Sequence, residues 1–516
     1  MQNLLFCFAT VIFLVIGCFG NEGVPSKAKD EAFYEQPDHP TEDAISVEGL
    51  TNAYDDTMFQ PGPETDVSEI DFSSFDETAE VTLDEVTLHQ DSKAFAEPEI
   101  SDTGLDREET QEEDISNEAV FTDIGPSVPE AEFVVNTWTG EHQRLPFVAS
   151  LKDGGFVVVW QSGCDYECDA QDGSEWGIYG QRFDALGNKV GYEFAVNTYT
   201  PGSQTAPVVA SLEDGGFVVI FESLGQDGSG YGVYGQRFDY NGNRLGSEFR
   251  VNTFTAYDQN YPWVTRLGGG GFVVVWQSFG QDGSHFGVFG QRFNADGSLL
   301  AIEFQVNTYT TQFQGLPTVA PSHDGGFIVV WQGTGADGAP PGSGIAGQVF
   351  DQNGEKVGDE FVVNTWTTGS QLHPRIDWFP DGGGVVVWTG KGEGNLDGIF
   401  GQVFDHNWNK KGVEFRADEE KKWDPGVGAV ACFADGRFVV VWEKYGSDES
   451  EWDVFAQKFD SEGIKVGTEF FVNQWTTGFQ RYPIVESLGD DRFVVVWESK
   501  GVDGSGYGIV ARIFAM

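Results

Sequence analysis

The chain has 516 residues, of which 40 % are hydrophobic, and its 43 Phe and 15 Trp are enough to fill a sizeable core. Its formal net charge is -53, and self-repulsion of this size excludes nucleic acids and anionic membranes as natural partners. Cations are the expected partners.

The first twenty residues, MQNLLFCFATVIFLVIGCFG, form an apolar run that is followed at once by the polar NEG. The small residues Cys18 and Gly20 stand at the two positions that a signal peptidase reads, so we predict a signal peptide over residues 1–20. The start of the run has no Lys or Arg, and an uncleaved membrane anchor is the alternative, although about sixteen apolar residues barely reach across a bilayer. The chain is therefore expected to be secreted, extracellular and free of the membrane after cleavage.

Residues 21–130 form an acidic segment in which 32 Asp and Glu stand against 4 Lys and Arg. Residues 131–516 hold 50 acidic residues against 25 basic ones, so the charge density is much lower there. Low hydrophobicity combined with high net charge predicts that residues 21–130 are disordered.

From residue 131 onward, an apolar run that ends in an aromatic residue recurs seven times, as in GGFVVVW. Successive copies are 61, 55, 55, 57, 54 and 55 residues apart, which indicates an internal repeat. The aromatic residues that end the runs are Trp160, Phe221, Trp276, Trp331, Trp388, Trp442 and Trp497.

Each repeat holds four strand-sized runs: EFxVNT, which opens the unit, then PxVAxL, GGFVVVW and GQRF. DGG, QDGSG and FDxNGN separate the later runs and supply turn chemistry, and no helical pattern occurs. Four strands in about 55 residues match one blade of a β-propeller. We predict an all-β, seven-bladed β-propeller over residues 131–516, with a longitudinal stack of hairpins as the alternative.

The two ends of the repeat domain favour a closed ring. The first EFVVNT, at Glu132, has no preceding partner, and repeat seven stops after its fourth run at ARIFAM. Pairing these two runs would close the ring and hide both sheet edges.

The aromatic residues of the GGFVVVW runs are interpreted as core, because a continuous apolar run is typical of a strand buried on both faces. Ligand stacking is the less favoured alternative for them.

Every repeat also has an aspartate in the loop after this run. In a closed propeller these loops share one face, so we consider a ring of carboxylates that binds Ca²⁺ weakly, without any tightly bound cofactor. The competing interpretation is that Asp-Gly simply favours a turn. The seven candidates are Asp172, Asp227, Asp282, Asp337, Asp397, Asp448 and Asp503.

Three cysteines remain once the signal peptide is removed. Cys164 and Cys168, in CDYEC, are close enough to form a local disulfide in an oxidising compartment, whereas a metal site there would need two more ligands. Cys432 lies in an apolar run and is interpreted as a buried, inert thiol.

Signals for catalysis are poor. The seven histidines occupy no repeated position, and the chain has no HExxH, GxSxG or phosphate-binding loop. An S-x-D-x-G-x-T-W box is also absent from the sequence. We therefore predict that the protein is not an enzyme.

The repeat, as in GGFVVVWQSFGQDGSHFGVFGQRF followed by EFQVNTYT, resembles arrays in large secreted and surface proteins of bacteria. Together with the signal peptide and the acidic segment, it resembles the acidic skeletal organic matrix proteins of stony corals, relatives of the skeletal aspartic acid-rich proteins. That resemblance implies secretion into a calcifying space, binding of calcium or calcium carbonate through carboxylates, and retention in the skeleton. The acidic segment, with 18 Glu and 14 Asp, is less aspartate-rich than that family.

Two functions of different classes follow. The first is a secreted, non-enzymatic matrix protein that acts in biomineralisation: many weak carboxylate contacts bind calcium ions or carbonate mineral, and other matrix proteins or polysaccharide are further partners. The second is an adhesion or carbohydrate-binding propeller whose acidic segment is a solubilising spacer.

Overall fold

A computed structural model of the chain describes residues 131–516, except 165–169, 337, 339–341, 393–396, 420–424, 446–450 and 490. The predicted signal peptide and acidic segment lie outside these residues. No helix in the described part is long and apolar enough to cross a membrane.

The described residues contain 28 strands and no α-helix. In chain order the strands are β1 (Phe133–Val134), β2 (His142–Ser150), β3 (Phe156–Gly163), β4 (Trp176–Phe183), β5 (Lys189–Ala195), β6 (Gln204–Ser211), β7 (Phe217–Leu224), β8 (Tyr231–Phe238), β9 (Arg244–Arg250), β10 (Gln259–Arg266), β11 (Phe272–Phe279), β12 (Phe286–Phe293), β13 (Phe304–Gln305), β14 (Gln314–Pro321), β15 (Phe327–Thr334), β16 (Ser343–Phe350), β17 (Lys356–Val362), β18 (Gln371–Trp378), β19 (Gly384–Lys391), β20 (Asp397–Phe404), β21 (Lys410–Arg416), β22 (Pro425–Cys432), β23 (Phe438–Tyr445), β24 (Trp452–Phe459), β25 (Lys465–Phe471), β26 (Gln480–Gly489), β27 (Arg492–Lys500) and β28 (Tyr507–Ala515).

The strands form seven four-stranded antiparallel sheets, which confirms the predicted seven-bladed β-propeller. Blades 1 to 6 are β2–β5, β6–β9, β10–β13, β14–β17, β18–β21 and β22–β25. Blade 7 combines β26, β27 and β28 with β1 from the start of the domain. Phe133 pairs with Ala511 and Val134 with Val510, so the ring closes through the predicted pairing.

The blade boundary falls one strand later than the repeat suggested. EFxVNT does not open a blade: it is the outermost strand, joined to the GQRF strand through the FDxNGN hairpin, as β5 is to β4. The first strand of each sheet is therefore the PxVAxL strand, and these seven strands surround the central channel.

The GGFVVVW strands form the core between neighbouring blades. All eight residues of β3 are buried, and each of the seven run-ending aromatic residues has no exposed surface. One cluster joins Trp160 and Val158 of blade 1 to Val496 and Ile509 of blade 7, so packing also continues across the closure. The core interpretation of these aromatics is confirmed.

The asparagine of the VNT segment links two blades at three positions of the ring. Asn197 accepts a hydrogen bond from the Ile178 amide (2.8 Å) and donates to the Tyr199 carbonyl (2.9 Å) and to the Gln204 side chain (3.0 Å). The same three bonds recur at Asn136 and Asn252. The asparagine of VNT is repeated because its side chain forms hydrogen bonds with buried backbone groups.

Candidate functional site

The seven first strands enclose a channel that contains two cavities. The cavity of about 270 Å³ includes Glu175, Trp176 and Tyr231 in its wall. These residues follow the loops of Asp172 and Asp227 directly, so we call it the loop-face cavity. The cavity of about 570 Å³ at the other end is called the opposite cavity. The two share a constriction formed by Phe147, Trp263, Arg375 and Ile484.

The wall of the loop-face cavity is built on a repeated backbone distortion. In six blades the first strand, which lines the channel, contains a proline, and the residue before this proline has a positive φ between 48° and 53°. The strand register shifts at the same place, as between Arg144 and Phe147. Such a conformation costs a non-glycine residue about 1–2 kcal/mol. The bulge turns the side chain of this residue toward the mouth of the channel, where it lines the loop-face cavity. The six residues are Leu145, Ala206, Tyr261, Leu316, His373 and Tyr482.

The amide of each distorted residue is held by the preceding blade. The acceptor is the side chain of the residue that follows the run-ending aromatic. Gln161 accepts from the Ala206 amide at 3.1 Å, and Glu222 accepts from the Tyr261 amide at 2.6 Å. The contact also crosses the closure, where Glu498 accepts from the Leu145 amide at 3.4 Å. These bonds offset part of the backbone strain and fix the cavity wall.

Three of these acceptors are buried glutamates, and two of them have a cation. Glu498 makes a two-pronged pair with Arg144, at 3.0 and 2.8 Å, and Glu443 lies 3.4 Å from Arg481. Opposite charge in a desolvated site makes such pairs costly to break.

Glu222 is the third, and it forms none of the ion pairs present in the described residues. Besides the Tyr261 amide, its carboxylate accepts only from the Thr205 hydroxyl, at 3.3 Å. Burial raises the pKa of Glu222 to about 7. A wall carboxyl of the loop-face cavity is therefore partly protonated at neutral pH.

Aromatic side chains cover much of the same cavity. Trp176, Tyr231, Tyr261, Trp263 and Tyr482 all line it. Polar groups lie between them: Glu175, which accepts a hydrogen bond from the Ser203 hydroxyl, Glu222 and Thr205. Flat apolar faces interrupted by a few fixed polar groups are typical of small-molecule sites.

Two basic residues of blade 5 project into the channel. Burial lowers the pKa of His373 to about 4, so its ring is neutral at physiological pH. Arg375, in the constriction, lies with its guanidinium carbon 4.7 Å from the ring centre of Trp263. Desolvation lowers the Arg375 pKa to about 10, which still leaves it charged.

The opposite cavity has aromatic residues in its wall as well, and it differs from the loop-face cavity in its larger number of acids: Asp377, Asp435, Glu486 and Asp491. Burial, and the negative charge of Glu486, raise the pKa of Asp377 to about 7. Asp377 accepts a hydrogen bond from the Cys432 amide at 2.7 Å, and Glu486 accepts from the Ser150 hydroxyl at 2.7 Å. The Cys432 thiol is free and buried, as predicted.

The candidate aspartates that lie within the described residues form hydrogen bonds that stabilise their own loops. The Asp282 carboxylate accepts from the Ser284 amide (3.0 Å) and from the Asn307 side chain (3.3 Å). Asp227 and Asp503 make the equivalent pair of contacts. These are the bonds of a turn-forming residue, and the described residues contain no group of three or more His, Cys, Asp or Glu arranged to hold a metal.

The remaining candidates divide into two groups. Asp172 accepts from the Ser174 amide at 3.0 Å, and Asp397 is an exposed residue 3.8 Å from Lys391. Asp337, Asp448 and Cys168 lie outside the described residues. Calcium binding by the aspartates and the Cys164–Cys168 disulfide therefore stay predictions.

A second set of aromatic residues lies on the outer part of the same face. Each stands two residues after the asparagine of VNT, or of VNQ in the case of Trp475, and this asparagine donates to its carbonyl, as Asn136 does to that of Trp138 at 2.8 Å. Their side chains are 40–42 % exposed at four positions. These four residues are Trp138, Tyr309, Trp366 and Trp475.

The sequence analysis did not identify the channel residues. The pre-proline positions carry Leu, Ala, Tyr and His, so no residue type marks them. A usable signal was the position directly after the proline of each first strand, where Arg375 is the one charged residue in the seven repeats.

No family model matches the chain, and no curated protein matches it. Among solved structures, a protein of unknown function from Dyadobacter fermentans is 13 % identical, with 76 % of this chain and 100 % of that chain covered and a TM-score of 0.45. A polysaccharide lyase described as an ulvan lyase is 10 % identical over 75 % and 94 %, with a TM-score of 0.46. An α-L-arabinofuranosidase from Fusarium graminearum is 14 % identical over 64 % and 98 %, with a TM-score of 0.42. At these identities and TM-scores the matches assign no function to this chain.

Proposed function

We propose that the propeller is a carbohydrate-binding module and that the loop-face cavity holds a saccharide. The observation that carries the proposal is the wall of that cavity, where Trp176, Tyr231, Tyr261 and Tyr482 surround polar groups such as Glu222. A sugar ring presents one apolar face and a rim of hydroxyls, so aromatic faces and hydrogen-bonding groups together suit it.

The size of the cavity limits the ligand. Its 270 Å³ is close to the lower end of the range for small-molecule sites, about 300–1,000 Å³. We therefore expect a terminal sugar unit of a longer glycan to enter, while the rest of the glycan lies outside the mouth.

A glycan array probed with the labelled full chain tests the proposal. We expect selectivity for particular saccharides. The double variant Tyr261→Ala, Tyr482→Ala removes two aromatic faces without a change of backbone, because Ala206 already occupies the equivalent position with φ 50°. We expect it to bind at least about 10-fold more weakly, equivalent to about 1.4 kcal/mol.

Tyr192→Ala is the matched control, because Tyr192 is 95 % exposed on an outer strand. It should bind like the parent protein. An array without selectivity, or equal binding by the double variant and the parent, would contradict the proposal.

The acidic segment supports a second candidate function, adsorption to calcium carbonate mineral. Its net charge of -28 over residues 21–130 is the supporting observation. Many weak carboxylate contacts on one chain can hold a cationic surface by avidity. We expect a chain that lacks residues 21–130 to lose adsorption to calcite or aragonite, and equal adsorption by residues 131–516 would refute this division of labour.

A further inference from the structure

The channel constriction contains a half-buried cation that forms no ion pair within the described residues. This cation is Arg375, which lines both cavities. The ion pairs of the described residues all involve other side chains.

The contacts that Arg375 does make leave much of its guanidinium unsatisfied. Its Nη1 donates to the Pro374 carbonyl at 3.1 Å, and its Nε has no acceptor within the part of the chain that the structure describes. The Trp263 ring supplies a cation–π contact at 4.7 Å. That contact offsets only part of the cost of removing a cation from water.

Other buried cations of the described residues have an anion or several carbonyl acceptors, and Arg292, which forms no ion pair there, donates to the Gln352 and Asn353 carbonyls. Arg144 has Glu498 at 2.8 Å, and Lys444 has Glu469 at 3.0 Å. Arg375, by contrast, has a single carbonyl acceptor and lies in the constriction that both cavities reach. A bound anion would supply the missing partner.

We propose that Arg375 recognises an anionic group, a carboxylate or a sulfate ester, on the saccharide that the loop-face cavity binds. This inference rests on the proposed function. The planar guanidinium offers parallel N–H groups that match either oxyanion. Trp263 holds the guanidinium plane and closes the inner end of the cavity.

The neighbouring groups permit an anion at this position, with the Glu175 carboxylate of the same cavity bound to the Ser203 hydroxyl. His373 is neutral and does not compete for the anion, and Glu222 carries only part of a negative charge near pH 7. Asp377 and Glu486 lie in the opposite cavity, so an anion that enters through the loop face meets Arg375 before it meets them.

Calorimetric titration of the full chain tests the inference with four ligands. Three are disaccharides of one linkage, either uronate-terminated, sulfated or neutral, and the fourth is inorganic sulfate. We expect Arg375→Gln to weaken binding of the anionic disaccharide by about 10- to 100-fold, as for other charge-assisted hydrogen bonds. Binding of the neutral disaccharide should stay the same. The two anionic disaccharides distinguish a carboxylate from a sulfate ester.

Arg375→Lys and thermal unfolding separate recognition from folding. Arg375→Lys keeps the positive charge but lacks the planar guanidinium with its parallel N–H groups. It should therefore bind the anionic disaccharide more tightly than Arg375→Gln but more weakly than the parent protein. Arg375→Gln removes an uncompensated charge and should not lower the Tm. A fall in Tm of more than about 5 °C would make Arg375 a structural residue and overturn the inference.

The outcomes distinguish this inference from the proposed function. If neutral and anionic disaccharides bind equally well, the role of Arg375 is wrong and saccharide binding stands. If only inorganic sulfate binds, and Arg375→Gln abolishes that binding, the anion site stands and the saccharide function is wrong. If none of the four ligands binds, both are overturned.

Discussion

The three outer strands of each blade keep the repeated sequence more strictly than the inner strand does. Outside, the GGFVVVW aromatics and the VNT asparagines recur in almost every blade and make the same contacts. Inside, the position after each inner-strand proline, or after Gly428 in blade 6, is different in every blade. The residues at that position are Phe147, Val208, Trp263, Thr318, Arg375, Ala429 and Ile484.

This difference separates positions that maintain the fold from positions that face the channel. A position that packs between two blades has the same environment seven times, so the same residue suits it every time. The channel is a single shared space, so a ligand bound there would meet seven strands at once and would not require a symmetric wall. Variation among the inner strands is therefore the place to look for specificity.

The largest expected effect tests the outer, repeated region. Trp276 has no exposed surface, and Trp276→Ala should lower the free energy of unfolding by about 3–5 kcal/mol, because it leaves a cavity between blades. Urea unfolding measures this. Tyr192→Ala, on an exposed side chain, should change it by less than about 0.5 kcal/mol. Equal effects of the two variants would refute the packing account.

The next effect tests the closure of the ring at the channel wall. Arg144→Met leaves the Glu498 carboxylate, which has no exposed side-chain surface, without its cation. We expect a loss of about 3 kcal/mol, measured by urea unfolding.

Two further variants show whether that loss comes from the buried, unpaired charge. Arg437→Met breaks two ion pairs at the surface, with Asp435 and with Asp491, and should cost less than about 1 kcal/mol. The double variant Arg144→Met, Glu498→Leu should be more stable than Arg144→Met alone, since no charge is then left buried. A double variant less stable than the single one would show that the pair itself, and not the orphaned charge, matters.

A smaller effect depends on pH and concerns Glu222. Its folded-state pKa of about 7 exceeds the ordinary value of 4.5, so the folded protein holds this proton more tightly than the unfolded chain between these pH values. Stability therefore falls as pH rises through this window, and the cost of the charged form is fully present above pH 7. Glu222→Gln should remove that cost and stabilise the protein at pH 8 by up to about 3 kcal/mol, with little change at pH 4.5.

The chain itself supplies the precedent for this variant, because Gln161 and Gln277 hold the equivalent position in other blades. Asp377 titrates in the same pH range, and its contribution cancels when variant and parent are compared at each pH. Urea midpoints at pH 4.5 and pH 8 provide the measurement. Stabilisation of the same size at both pH values would mean that Glu222 is not the titrating group.

The smallest effect concerns the aspartate loops. Asp282→Asn keeps the acceptor for the Ser284 amide, since asparagine forms the same turn. We expect the stability to change by less than about 0.5 kcal/mol, measured by urea unfolding. Calcium titration of this variant and its parent tests the proposed metal role, and a clear loss of binding would favour the carboxylate ring over the turn.

The sequence predicted the architecture well because the repeat is strong. Seven apolar runs with constant spacing predict seven equivalent strands, and the unpaired EFVVNT predicts the closure that Phe133 and Ala511 form. The blade boundary was wrong by one strand, because a sequence repeat does not show which of four strands is innermost.

The site could not be predicted in the same way. Arg375 and Trp263 belong to different blades, 112 positions apart in the chain, and only ring closure brings their side chains together. The positive φ of Tyr261 and the partial protonation of Glu222 depend on contacts between blades. Asp282, by contrast, was conspicuous because it repeats, and its observed contacts are those of the turn that repeats with it.

Photo-crosslinking with a diazirine-labelled saccharide, chosen from the glycan array and mapped by mass spectrometry, tests the central claim most directly. The full chain offers three regions to the label: the channel mouth, the outer aromatic residues and the acidic segment. We predict adducts on inner-strand peptides that contain Tyr261, Trp263 or Tyr482, and their loss when unlabelled saccharide competes. Adducts confined to peptides with Trp138 or Trp366, or to residues 21–130, would contradict the account.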